Sequence, residues 1–332
     1  MAQASSARIP WRNSSEGVIP SVSSSARRTA SPPRLKPLGV DVADAVEGSV
    51  TDQAAVHRAL AGCDSVVHCA SVYAMHPRQE PVIRTTNVQG TDIVLGEAVR
   101  LGVNPIVHVS SLSALFGARG ATLGPDGPAG DPPGAYFRSK ADSERVARRY
   151  QEQGAPVVIS YPGAVFGPHD PHFGESNILL RNILRGRAAI FVRGTYWISD
   201  VRDVARLHGR LLGERRHTRY LAPTTTLDVA DFFSAIRDVT GRRLPSLRLP
   251  AWALASSLRL GEMAAQWLRA PFMWPAAGSW ALGQSYRVDD SRSREEFGLQ
   301  PLPLRETLAD NIGWLARAGH VSARQAGRAA TA

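Results

Sequence analysis

The feature that most constrains this chain is a repeated order of short apolar stretch, turn residues and helical stretch, running from Gly39 onward. SVVHCAS (65–71) reads as a buried strand, and TNVQGTDIVLGEAVRLG (86–102) as an amphipathic helix that stops at a glycine. PIVHVSS (105–111) is the next strand and VVISYPGAVFG (157–167) another. Helices follow acidic caps in DVRDVARLHGRLLG (200–213) and LDVADFFSAIRDVTG (227–241). Strands that alternate with helices of about 10 to 15 residues build right-handed strand-helix-strand units, because parallel neighbours need a long crossover between them. The expected fold class is α/β, a doubly wound parallel sheet, with a smaller, mostly helical C-terminal lobe.

Of 332 residues, 43% are hydrophobic and 20% charged, the balance of a globular chain with a large core. No apolar run is long enough to span a bilayer. Cys63 and Cys69 are too few for a disulfide framework and read as small core residues, so a reducing, cytoplasmic setting is expected. The net charge of +10 would suit phosphate binding, but the arginines are scattered and not interleaved with aromatics. No nucleic-acid partner and no metal site are expected. Residues 1–35 are rich in Ser, Arg and Pro, with Glu16 the only acid, and bury too little apolar surface to offset the entropy of ordering. They are expected to be disordered or foreign to the fold, and residues 321–332 to be a disordered tail.

The chain has two lysines, Lys36 and Lys140, and the second stands four residues after Tyr136 in GAYFRSKADSERVA (134–147). On a helix, such residues share a face one turn apart. A phenol with a pKa of about 10 is a poor proton carrier at neutral pH, and a neighbouring ammonium favours the phenolate and draws that value down. Ser110 and Ser111 end the preceding strand, at the carboxyl edge of a parallel sheet where ligands usually lie. A hydroxyl there can hold a carbonyl or alcohol oxygen while Tyr136 passes the proton, although two serines after a strand also make an ordinary turn.

VVHCAS, NVQGT, VHVSS, YFRSK, YPGAVFGP and DVRDVA stand in that order along the chain. Together they resemble the extended short-chain dehydrogenase/reductases, a group of NAD(P)-dependent epimerases, dehydratases and reductases, over roughly residues 35–318. The segment around Pro250, Ala251 and Trp252 and the tryptophan-rich C-terminal part look most like the 3β-hydroxysteroid dehydrogenase and dihydroflavonol reductase branch. The resemblance implies a Rossmann-like cofactor domain with the catalytic residues over 36–170. It implies a region 171–320 that completes the sheet and forms the substrate lobe, and NAD or NADP as cofactor. Tyr136 would be the general acid/base, and Lys140 would lower its pKa and hold the nicotinamide ribose. Ser111 would polarise the reacting oxygen, with Ser110 or Ser113 as stand-ins. Asn87 would brace the central helix beside the site, or serve only as a helix cap. Ala70 and Ser71 would lie along the cofactor, and Pro162, Gly163 and Ala164 near the nicotinamide. Tyr161 stands where the family often has arginine, a change expected to affect packing more than chemistry.

The chain departs from this pattern at its N-terminal end. Such proteins begin with a strand, a GxxGxxG turn and a helix, since glycines let the backbone approach a pyrophosphate and the helix N-terminus stabilises its charge. Before residue 60 the glycines are Gly17, Gly39 and Gly48, while GARGATLGPDGPAG (117–130) follows the wrong strand and reads as a loose loop. Ser49 replaces an aspartate in EGSVTD (47–52). The sheet is therefore expected to be N-terminally incomplete. Residues 1 to about 26 read as a foreign start, from a mis-set start codon or a frame change, with the resemblance resuming near Arg27; GVIPSVS (17–23) is a poor makeshift strand because of Pro20.

The expected function is an NAD(P)-dependent oxidoreductase that interconverts a secondary alcohol and a ketone, or reduces a carbonyl, on a hydrophobic small molecule, by hydride transfer with tyrosine acid/base catalysis. Two alternatives stay open: a nucleotide-sugar epimerase or dehydratase, with Arg181, Arg185 and Arg187 as cationic candidates, and a catalytically impaired cofactor-binding remnant. Trp252, Trp267, Trp274 and Trp280 serve either an apolar pocket or the core. A peripheral membrane contact through 251–283 and a homodimer also stay open.

Overall fold

The computed structural model describes residues 17–21, 44–73, 79–187, 190–192, 194–214, 216–249, 280–281 and 283–331. Gly17–Ser21 (β1) pairs antiparallel with Asp44–Gly48 (β2), Pro20 opposite Ala45. The segment read as a poor strand thus does pair, in a two-stranded ladder apart from the central sheet. Such a ladder leaves one edge of each strand free, which is where a proline is tolerated. Asp52 accepts from the amides of Ala54 and Ala55 and starts the helix Gln53–Leu60 (α1). The chain continues through Val66–His68 (β3), Glu80–Arg84 (α2), Gly90–Arg100 (α3), Ile106–Val109 (β4) and Thr122–Leu123 (β5). Ala135–Glu152 (α4), Val157–Tyr161 (β6), Ala164–Phe166 (β7), Glu175–Leu184 (α5) and Ile190–Val192 (β8) follow. The remainder comprises Thr195–Asp200 (β9), Val201–Leu211 (α6), Arg219–Leu221 (β10), Thr225–Asp228 (β11), Val229–Thr240 (α7) and Leu247–Leu249 (β12). Arg287–Val288 (β13), Ser291–Phe297 (α8), Leu304–Arg317 (α9) and Ala323–Ala326 (α10) complete it.

The central sheet is parallel, in the order β10-β6-β4-β3. Its apolar residues alternate between two faces, as period-two side chains must. Val66, Ile106, Val157 and Ile159 meet Val56 and Leu60 of α1, Leu95 and Ala98 of α3, and Phe137 and Ala147 of α4. Val67, Val107 and Val158 meet Val204, Leu207 and Leu211 of α6, with Phe297 of α8 packed alongside. Each such side chain contributes about 2 kcal/mol by leaving water. The expected doubly wound parallel sheet is therefore present, and the outer edge of β3 has no partner strand among the described residues.

The stretch 157–167, read as one strand, is two strands in different sheets: β6 is central, while β7 pairs with β9 in the sheet β11-β9-β7. Pro162 has no amide to donate, and at Gly163 a Cβ would come within 2.6 Å of the Trp197 carbonyl, so only glycine fits this crossing. The glycine-rich loop 117–130 is more tied than read, since β5 within it pairs with β13.

A second core gathers Phe166, Leu180 and Ile183, Phe232 and Ile236 of α7, and Leu308, Ile312 and Leu315 of α9. The C-terminal tail belongs to it, a correction to the expected disorder. Ser322 and Gln325 form a reciprocal capping box at α10, and Ala326 and Ala329 are buried. Among the described residues no helix is long and apolar enough to cross a membrane. Trp252, Trp267 and Trp274, and most of the proposed peripheral membrane segment, lie outside the described residues, while Trp280 packs against the first core.

Candidate active site

Three strand ends and one helix start converge at the carboxyl edge of the central sheet. After β3, the segment Cys69–Tyr73 is pinned by Asn87. The Asn87 side-chain oxygen accepts from the Val72 amide at 2.7 Å, and its Nδ2 donates to the Val72 carbonyl at 3.0 Å and to Ser139 Oγ at 2.9 Å. Ser139 Oγ in turn donates to the Tyr136 carbonyl at 2.7 Å. Asn87 sits in a π-helical turn, Thr85–Gln89, a distortion that frees carbonyls from the regular ladder. Its carbonyl accepts from Thr91 Oγ1 and from Ser143 Oγ of α4, both at 2.6 Å. Asn87 thus joins the loop after β3 to α4 and does not act as a cap.

At the end of β4, Ser111 caps the short 3-10 turn Leu112–Leu115, which packs against α4. Ser111 Oγ accepts from the Ser113 amide at 3.2 Å and from the Ser113 hydroxyl at 2.9 Å, which leaves its own proton free to donate. Ser110 and Ser113 are buried, whereas Ser111 is only half-buried, so of the three it has the access a reacting oxygen requires. The Pro162 carbonyl accepts from the Leu112 amide at 2.9 Å, and the Gly163 amide donates to Ser199 Oγ at 3.1 Å. Pro162–Ala164 therefore lies against the Ser111 turn. Ala70 packs on the first core, and Ser71 Oγ is buried with no hydrogen-bond partner.

Helix α4 begins after Gly134, whose φ of +92° suits glycine, and carries Tyr136 and Lys140 one turn apart. Lys140 is 5% exposed and its Nζ donates to the Val109 carbonyl at 3.5 Å. Burial lowers its pKa to about 8, against the opposing pull of Glu144 and Cys69. Burial pushes the Tyr136 phenol above its ordinary value. This corrects the expectation that Lys140 draws the phenol down: the ammonium is turned to Val109, and loss of water dominates at Tyr136. The Ser111 hydroxyl bonds Ser113 and not Tyr136.

Beneath Lys140 lie His68, His108 and Cys69. Burial, reinforced by the Lys140 charge, lowers His68 to about 3; burial, then His68 and Lys140, hold His108 well below its ordinary value. Burial raises the Cys69 thiol to about 12. All three are uncharged at neutral pH.

The sequence reading missed Tyr73, Glu175, Tyr196 and Glu144. The Tyr73 ring lies 4.3 Å from that of Tyr136, centroid to centroid. Its phenol is pushed up by desolvation first, then by Tyr136, Glu175 and Tyr196, which places these groups around one spot. Tyr73 directly follows the strand-end residues SVVHCAS, and Glu144 repeats the four-residue step from Lys140, so both carried a positional signal.

Residues 14–220 match the model of the NAD dependent epimerase/dehydratase family, and the chain belongs to it. Membership makes it an enzyme of an NAD-dependent class. The match starts ahead of Arg27, where the sequence reading places the resumption. The chain is 27% identical over 308 residues to a Synechocystis sp. protein that carries the name dihydroflavonol 4-reductase, covering 89% of this chain and 87% of the relative. It is 28% identical over 284 residues to sterol demethylase protein B of Methylococcus capsulatus (82% and 85% covered). It is 25% identical over 274 residues to a dTDP-glucose 4,6-dehydratase of Streptomyces antibioticus (81% and 75% covered). Among solved structures, gox2253 superposes with a TM-score of 0.68 at 23% identity, covering 83% of this chain and 85% of its own. The dTDP-glucose 4,6-dehydratase DesIV of Streptomyces venezuelae, solved with NAD bound, superposes with a TM-score of 0.65 at 22% identity (83% and 80% covered). These establish the Rossmann-like fold; the named relatives differ in reaction.

Proposed function

We propose that the chain reduces a ketone carbonyl on a hydrophobic small molecule to a secondary alcohol. The observation that carries this reading is the position of Tyr136 at the start of α4, the helix packed against a serine turn whose Ser111 hydroxyl still has a proton to donate. Ser111 donates to the carbonyl oxygen and polarises it, and Tyr136 gives up its proton as that oxygen becomes an alkoxide. Lys140 is charged over most of the neutral range with its ammonium turned to the Val109 carbonyl, so its part is toward the cofactor ribose and not the phenol. The Tyr73 ring supplies an apolar wall.

The residues fit the nicotinamide-ribose end of NAD(P)H. Ser71 Oγ is buried without a partner and Lys140 Nζ has one long hydrogen bond, so both have unused capacity for a ribose diol. Asn87 would hold Ser71's loop in place, and Ala70, Pro162, Gly163 and Ala164 would border the ring. When bound, this cofactor supplies the hydride. The diphosphate end does not fit, because the sequence has no glycine-rich turn for it.

A second reading, a nucleotide-sugar epimerase or dehydratase, is favoured by Arg181. Its guanidinium lies 4.6 Å over the Phe173 ring and its Nε is buried without a partner. The test sets NAD(P)H loss with steroid-like and flavonoid-like ketones against product analysis of nucleotide sugars, whose epimerisation or dehydration consumes no NAD(P)H, beside a fluorescence titration of NAD(P)H. Turnover of the ketones supports the reductase; turnover of nucleotide sugars alone transfers support to the second reading. A version carrying a grafted glycine-rich strand-turn-helix is expected to bind NAD(P)H more tightly, and equal binding by both overturns the account of the diphosphate end.

A further inference from the structure

Tyr136, Lys140, Glu144 and Arg148 follow one another at four-residue steps along α4, a single ladder on one side of the helix. Glu144 is fully buried, at 0% exposure. A carboxylate withdrawn from water persists only with strong partners. Its Oε1 accepts from the Tyr161 hydroxyl and from Arg148 Nε, both at 2.6 Å, and Arg148 Nη2 donates to the Tyr161 oxygen at 3.2 Å. Its Oε2 is buried and has no hydrogen-bond partner. Tyr161 occupies the place where arginine is common in such chains, so here the balancing cation comes from the next turn of the same helix.

We propose that Glu144 is a positioning residue for Lys140: its carboxylate, held rigid by Tyr161 and Arg148, acts through space to keep the Lys140 ammonium charged at the sheet edge. The coupling itself stands on the helix geometry, while its value for turnover rests on the reductase reading. The other titratable groups that face Lys140 are Tyr136 on its own helix, His68 on β3, His108 on β4 and Cys69 beyond β3, and all four are neutral at neutral pH. Glu144 is therefore the anion that opposes the desolvation of Lys140, and it is the larger of the two influences that raise the lysine. No contact ion pair joins them among the described residues, which matches a field effect one helical turn long.

The sequence makes the test clean, because isotope-labelled lysine reports only Lys36 and Lys140, and K36R assigns the signals. Titration of the Lys140 Cε resonance in the full chain is expected to give a midpoint at about 8. In E144Q, whose amide oxygen still accepts from Tyr161 and Arg148, the midpoint is expected to fall. Loosened packing would admit water and move it up toward the ordinary lysine value, so a fall separates the field effect from structural damage. An unchanged or raised midpoint in folded E144Q overturns the proposal. If E144Q does not fold, E144D, which withdraws the charge by one methylene, is expected to give a smaller fall, and no fall overturns it. If neither folds, Glu144 is a structural residue and the proposal fails. No ketone reduction by the unaltered chain together with a fall in E144Q would discard the reductase reading and leave the coupling intact.

Discussion

The β1-β2 ladder and the β10-β6-β4-β3 sheet are both hydrogen-bonded, yet they differ in enclosure. Ala45 and Glu47 of β2 are exposed, while every residue of β6 is buried. Helices cover the central sheet on both faces, through α1, α3 and α4 on one side and α6 on the other. Backbone hydrogen bonds contribute little net when water competes for them, so the ladder alone orders little. Enclosure from two sides removes water, and this is also what moves the titrations of His68, Cys69, Tyr136 and Lys140. The chemistry of the site is a by-product of the same packing that holds the sheet.

Four experiments sharpen or break this contrast. The largest effect is expected for Y136F, which keeps the ring packing on Tyr73 and removes the proton: turnover of the reducible ketone should fall about 1000-fold with unchanged circular dichroism. Retained turnover would separate enclosure from catalysis. Next is N87A, which leaves the half-buried Val72 amide and carbonyl without their partner; about 2 kcal/mol of stability should be lost in urea unfolding.

Lys140 gives the third. Its folded value of about 8 lies below the ordinary 10.5, so between those values the unfolded chain binds more protons and stability rises with pH. Relative to K140M, in which the raised thiol and phenols act alike, wild type should gain about 1.4 kcal/mol per pH unit in that window. At neutral pH K140M should be about 2 kcal/mol more stable than wild type, because it drops the cost of a buried charge. A parallel slope in both proteins would show that Lys140 is hydrated. The smallest effect is expected on removal of residues 1–22, which takes away β1: the unfolding midpoint of the central sheet should move by less than about 1 kcal/mol equivalent. A larger loss would show that the open ladder supports the core.

Much of the fold was legible. The strands at 66–68 and 106–109 and the helices α6 and α7 fall inside segments that period and capping marked out. The division of 157–167 between two sheets was not, although Pro162 and Gly163 mark the break, because the close approach of the Trp197 carbonyl belongs to another element. The tail was misread because its small residues, Ala326 and Ala329, look like a polar-spaced coil until α7 and α9 supply a surface. At the site, Tyr136, Lys140, Ser111 and Asn87 were named from spacing and resemblance. The hydroxyl of Ser143 on the Asn87 carbonyl and the closeness of Tyr73 depend on how separate elements meet.

Local order in the chain determined the parallel architecture and the four-step ladder of Tyr136, Lys140, Glu144 and Arg148, since side-chain periodicity and helix pitch act over neighbouring residues. Tertiary structure alone decided which of these groups lose water: the phenol becomes harder to ionise, the two histidines stay neutral and the lysine titrates near neutrality. Desolvation depends on everything packed around a group, and that surrounding comes from strands and helices far apart in sequence.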